Sequence, residues 1–131
     1  MFDNKIVDIS PLANLTDLIY LDMSGNQISD ISSLSSLINL KDLLLEFNQI
    51  SDISSLRNLK NLKRLSLSSN QITDISVVNN LNLKYLGLAV NQISIIGLQN
   101  HTYLEWIDFA ENPINTLNLD NLPNLQNITV N

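Results

Sequence analysis

The heptapeptide NQISDIS stands at residues 26–32 and again, unaltered, at 48–54; NQITDIS follows from residue 70 and NQISIIG from residue 91. A phrase recurring at a near-constant spacing constrains a fold more tightly than composition can, because each copy must make the same bend and pack on the copy before it. Extended in both directions, five blocks share the pattern L-x-x-L-x-L-x-x-N-x-I: LIYLDMSGNQI from 18, LKDLLLEFNQI from 40, LKRLSLSSNQI from 62, LKYLGLAVNQI from 83 and LEWIDFAENPI from 104. Their asparagines, Asn26, Asn48, Asn70, Asn91 and Asn112, follow one another at intervals of 22, 22, 21 and 21 residues. Asn4 lies a further 22 residues upstream, and a sixth block opens at Leu125 with Ile128 and Val130 in step. Residues 1–131 are therefore expected to form one repeat domain of about six turns that begins and ends mid-repeat.

The x-L-x-L-x segment alternates apolar and polar residues, as a strand with one buried face must. Repetition stacks these strands in parallel, about 4.8 Å apart. Leu21 with Met23, Leu43 with Leu45, Leu65 with Leu67, Leu86 with Leu88, and Ile107 with Phe109 are predicted to point inward. Ile31, Leu34, Leu37 and their equivalents return along the opposite wall. Where the chain leaves each strand, backbone groups face inward without partners, and a buried asparagine amide can satisfy them. An asparagine ladder is the expected result. Asp8, Asp30, Asp52 and Asp74, each followed by Ile-Ser, sit where the opposite wall begins. There a carboxylate can accept from the next free N–H groups and start a short 3₁₀ turn. A stacked carboxylate column could alternatively bind calcium, but such a site needs six or more oxygens and the caps already supply donors. The last two repeats put Ile95 and Thr116 in place of this aspartate, so their turns must be built differently.

These blocks, and the stretch DISPLANLTDLIYLDMSGNQISDIS above all, resemble leucine-rich repeat proteins, and the 22-residue spacing is similar to that of the bacterial internalins. The resemblance implies an α/β-type solenoid: a right-handed leucine-rich repeat superhelix with parallel strands on the concave face and 3₁₀ or irregular segments on the convex face. It also implies protein binding, and a bacterial surface or secreted location; without it, a cytoplasmic location is equally open.

Little in the chain points to catalysis. The single histidine, His101, replaces a core leucine in GLQNHTYL, and no nucleophile or ligand set converges on it. The three glycines form no phosphate-cradling loop. The pairs Asp42 with Glu46 and Asp108 with Glu111 lie on an open sheet, where they read as solvated charges. No enzyme activity, cofactor or metal is expected. The absence of cysteine removes thiolate chemistry and disulfides. A net charge of −6 repels nucleic acid, and no apolar run reaches the roughly 18 residues of a membrane span. The opening MFDNKIVDIS has neither a basic leader nor an apolar core, so no secretory signal is expected there.

Specificity is expected on the outward positions of the strands, which carry no folding duty. One column reads Tyr20, Asp42, Arg64, Tyr85, Trp106 and Asn127, and the next Asp22, Leu44, Ser66, Gly87, Asp108 and Thr129. The candidate protein-binding residues are Tyr20, Asp42, Leu44, Phe47, Arg64, Tyr85, Trp106 and Asp108, with Trp106 and Tyr85 on adjacent strands and Arg64 one strand further. Exposed Trp, Tyr and Arg dominate interface energetics; the alternative is that the rings only pack across strands. Three functional readings follow: a protein-binding module of surface or host-interaction type, an intracellular regulatory subunit or scaffold that holds an enzyme, or a structural or engineered segment without a partner. Exposed terminal turns also raise end-to-end self-association or a place in a longer array.

Overall fold

Residues 4–131 are described in the computed structural model; the start of MFDNKIVDIS, on which the expectation about a leader rests, lies outside the described residues. Eight strands form among them: β1 (Tyr20–Asp22), β2 (Asp42–Leu44), β3 (Arg64–Ser66), β4 (Tyr85–Gly87), β5 (Ile95–Gln99), β6 (Trp106–Asp108), β7 (Thr116–Asp120) and β8 (Asn127–Thr129). Six of them make one parallel sheet in the order β1-β2-β3-β4-β6-β8, while β5 and β7 pair in a second. The register follows the repeat: Leu21, Leu43, Leu65, Leu86, Ile107 and Ile128 lie side by side. Every inward leucine therefore meets its own equivalents on the neighbouring turns. Leu43, Leu45, Leu65, Leu67, Leu86, Leu88, Ile107 and Phe109 are wholly buried, and face Leu34, Leu37, Leu56, Leu59 and Val78 across the core. Met23, in the first of these turns, is only half-buried.

Four 3₁₀ segments, Ser10–Asn14, Ser32–Ser36, Ser54–Asn58 and Ser76–Asn80, build the convex wall of the first turns. Each starts the same way. The N–H groups of Ser10, Ser32, Ser54 and Ser76 donate to Oδ1 of Asp8, Asp30, Asp52 and Asp74, all at 2.8 Å. These bonds hold the carboxyls of Asp8, Asp30 and Asp52 below their ordinary range. The aspartates thus cap the turns. Where Ile95 and Thr116 remove that cap, the convex wall becomes the parallel pair β5 and β7, with Ile96 and Leu98 carrying the apolar side inward. Each strand spans five residues, as each 3₁₀ segment does, so the change of wall leaves its residue count unaltered.

The one-residue shortening from 22 to 21 has a visible cause as well. Leu37 and Leu59 end their 3₁₀ segments in tight three-residue turns, with Ile38 N–H donating to Ser36 O and Lys60 N–H to Asn58 O. Leu81, the equivalent residue after Ser76–Asn80, is extended instead (φ −107°, ψ 160°). Deleting one residue there straightens the chain.

The asparagine ladder runs the length of the stack. Asn70 is typical: Oδ1 accepts from Ile50 N–H at 2.9 Å, one turn back, and Nδ2 donates to Leu45 O and Leu67 O at 3.0 Å each. Asn48, Asn91 and Asn112 repeat the arrangement, each joining its own turn to the preceding one. Just before each ladder asparagine the backbone enters the left-handed region, at Gly25, Phe47, Ser69, Val90 and Glu111 with φ between 53° and 70°. Only glycine adopts this without steric cost.

A second, outer ladder was not expected from the sequence. Asn39, Asn61, Asn82 and Asn124 donate through Nδ2 to the carbonyls of Thr16, Ile38, Lys60 and Thr102 on the preceding turn. Its signal was present in the asparagines of LINLK, LKNLK, LNLK and LPNL. Tyr103 interrupts the column, and Lys60 Nζ takes the carbonyl of Asn80 at 2.6 Å. Where the convex wall changes from 3₁₀ to strand, Asn79 acts as a clasp. Its Nδ2 donates to Gly97 O, and its Oδ1 accepts from Gln99 N–H at 3.2 Å and lies 3.1 Å from His101 Nε2. His101 is 5% exposed, and burial lowers its pKa from the ordinary 6.5.

Candidate functional site

The concave sheet presents the outward positions of six strands, and three of the expected residues meet at its centre. Tyr85 on β4 and Trp106 on β6 are register neighbours, and their rings stack face to face with centroids 4.2 Å apart and planes 2° from parallel. Arg64 on β3, the next register neighbour, lays its guanidinium over the opposite face of Tyr85 at 4.9 Å from the centroid. Short parallel strands impose this stack. Parallel pairing puts equivalent positions about 4.8 Å apart, close to the separation at which flat groups stack.

Gly87 makes room for it. A Cβ there would stand 3.0 Å from Ser66 Oγ and 3.4 Å from Tyr85 Cε1, so the tyrosine ring lies over a position that any other residue would crowd. Ser66 is itself buried beneath the face and donates its hydroxyl to the Glu46 carboxylate. Carboxylates flank the stack. The phenol of Tyr85 is held above its ordinary range first by burial, with Glu46 and Asp108 adding to the effect and Arg64 opposing it. Asp108 engages one oxygen with Ala110 N–H at 2.9 Å, two residues further along its own chain. Gly87, Glu46 and Ser66 were not among the expected site residues, although all three could be read from the outward columns.

The remaining candidates are more dispersed. Asp42 lies between Tyr20 and Arg64 in register, yet makes no ion pair with Arg64, which turns to Tyr85 instead. Tyr20 is exposed on β1, at the far end of the sheet, and Leu44 is half-buried on β2. Phe47 is 62% exposed, but it stands at the left-handed corner after β2 rather than on a strand. A cleft of about 500 Å³ opens beside it, between Gly25 and Glu46, and its rim includes Asn4, the first described residue. The ion pair Lys84–Glu105, 3.2 Å long, is exposed on both sides and contributes little stability. No helix among the described residues is long and apolar enough to cross a membrane.

A parallel strand, an asparagine seam and a short convex segment in every turn define a solenoid built from leucine-rich repeats. The family description "Leucine Rich repeats (2 copies)" matches residues 1–36 and 38–80, more than half of the chain. The chain belongs to the leucine-rich repeat family, and its repeats are internalin-like. It is similar to an internalin C2 from Listeria monocytogenes at 31% identity, over 99% of this chain and 67% of that one, with a TM-score of 0.69. An internalin InlF from the same organism is 29% identical over 95% of this chain, with a TM-score of 0.66, and this chain spans about half of its length (51%). The plant peptide hormone receptor RGFR1, solved in complex with RGF2, is 26% identical over 88% of this chain and 22% of that one, with a TM-score of 0.69. No curated protein sequence matches the chain significantly.

Proposed function

We propose that this chain is a non-catalytic module that binds another protein through its concave sheet. Arg64, Tyr85, Trp106 and Asp108 form the centre of the contact, with Tyr20, Asp42, Leu44 and Phe47 toward its N-terminal side. The supporting observation is the stack itself: a guanidinium and two aromatic rings, the side chains that most often anchor interfaces, in one outward row with no part in the core. Leucine-rich repeats generally serve as non-catalytic binding modules, and RGFR1 is a repeat protein of this fold solved with a bound partner. The likeness to internalins favours a bacterial surface or host-interaction role over an intracellular scaffold.

The competing account is that the rings only brace neighbouring strands, which contributes about 0.2–1 kcal/mol per pair. Peptides selected by display on the native chain and re-measured on Trp106→Ala separate the two. Binding should weaken about tenfold or more while the thermal midpoint moves by only about 2–4 °C. Unfolding of Trp106→Ala, or unchanged binding, would show the rings to be structural. Light scattering at high concentration completes the test: a monomer sets aside end-to-end assembly through the two terminal turns, whose outer strands are β1 and β8.

A further inference from the structure

Charge is segregated on this molecule. At the outward positions of the strands themselves, Asp22, Asp42 and Asp108 outnumber the single cation, Arg64, which is engaged with the Tyr85 ring, and Glu46 and Glu111 continue the acidic side just past β2 and β6. Lys41, Lys63 and Lys84 stand on the opposite margin, just before β2, β3 and β4; Lys63 lies 5.4 Å from the Tyr103 ring centroid, and Lys84 pairs with Glu105. The strands of the hollow therefore carry an acidic surplus around an aromatic stack that, among the described residues, has a cation at its Tyr85 end only. Trp106 turns one face to Tyr85; across its other side the register neighbour is Asn127, and among the described residues no cation lies over it. Arg64 demonstrates what such a face takes. A guanidinium already lies over one end of the stack, 4.9 Å from the Tyr85 centroid, so the Trp106 end suits a second, with Asp108 two residues along the same strand to meet its charge.

We propose that the partner is a protein presenting a basic segment, with an arginine side chain stacked on Trp106 beyond the short Asn127 side chain and its charge met by Asp108, while Asp42 and Glu46 attract further basic residues. This rests on the concave-face reading above and adds the partner's chemistry to it. An acidic hollow also speeds the encounter with a basic chain and makes binding sensitive to salt.

Trp106 is the only tryptophan, so its emission reports the site directly. Three synthetic peptides of equal length, alternating glycine with arginine, glutamate or glutamine, serve as probes. The arginine peptide should change Trp106 emission and bind about tenfold or more tightly than the other two. Its binding should weaken about tenfold in the Asp42→Asn, Asp108→Asn double variant, in which the amide oxygen introduced at position 108 can still accept from Ala110 N–H. It should also fall sharply toward about 1 M salt, where the Debye length shrinks to about 3 Å. Equal or tighter binding of the glutamine or glutamate peptide overturns the basic-partner proposal. So does an arginine peptide that leaves Trp106 emission unchanged or is indifferent to the double variant, because its cations are then held elsewhere, for instance by the convex aspartates. Absence of binding by all three peptides overturns it too. Should display on the native chain still yield Trp106-dependent binders of other composition, the concave-face reading survives and only the charge assignment falls.

Discussion

The first four convex segments are 3₁₀ turns started by aspartate; the last two are strands β5 and β7, paired with each other. The concave strands and the asparagine seam are the same in both regions. A leucine-rich turn thus needs one wall held to a strict pattern and tolerates two constructions of the other. The choice lies in a few residues. Asp52-Ile-Ser provides a carboxylate that binds the Ser54 N–H locally, whereas Ile95-Ile-Gly provides none, and its backbone groups look to Thr116–Asp120 on the next turn. The 3₁₀ wall joins its neighbours through side chains such as Ser33, Ser36 and Ser55, which donate to carbonyls of the preceding turn, whereas the strand wall joins them through its backbone.

If the seam is common to both regions, removing one of its asparagines should cost the same on either side of the change. Asn70→Ala and Asn91→Ala are each expected to destabilise the chain by about 3 kcal/mol, because each leaves one buried N–H without an acceptor and takes one of two asparagine donors from each of two buried carbonyls. Denaturant unfolding measures both, and a markedly smaller loss for Asn91→Ala would mean that the strand-backed turns hold together by other means. The clasp between the regions comes next. Asn79→Ala removes the bonds to Gly97 O, Gln99 N–H and His101 and should cost about 2 kcal/mol, with hydrogen exchange rising first in β5 and β7.

Acidification should separate the two regions. The folded pKa of His101 is depressed by burial, so its contribution is complete above about pH 6.5 and is lost as pH falls from there toward the folded value. Asp8, Asp30 and Asp52 are depressed by hydrogen bonds; their contribution is present above about pH 3.8 and is lost only as pH falls through their lowered folded values. Residue-resolved exchange should therefore show β5 and β7 loosening in mild acid while the 3₁₀ wall stays protected. Simultaneous loosening would contradict the assignment. The smallest effect has the opposite sign. Val90→Gly relieves a β-branched residue at φ 57° and should stabilise the chain by about 1 kcal/mol, read as a higher thermal midpoint.

Some features were legible because the physics behind them repeats at the same period as the chain. Asn26 to Asn112, the leucine pairs and the aspartate caps each recur every 21 or 22 residues, so their spacing reveals their role. The outer ladder at Asn39, Asn61, Asn82 and Asn124 repeats too, but the interruption at Tyr103 and the general abundance of asparagine hid it. The strand character of β5 was harder to read, because IIGLQ alternates only over five residues and becomes a strand when TLNLD lies beside it. On the concave face, the columns could be read directly, including the neighbours Tyr85 and Trp106. That the rings stack within 2° of parallel, and that Arg64 turns to Tyr85 rather than Asp42, could not.

By itself, the sequence determined the turn, its register and which side chains face inward, since a periodic apolar pattern admits only one way for equivalent residues to meet. Tertiary structure decided what happens where equivalents differ: which backbone groups of the last turns pair, and which of two neighbours a cation prefers. Those choices depend on side chains brought within a few ångströms across turns, and their outcome is a competition between contacts that no single stretch of chain contains.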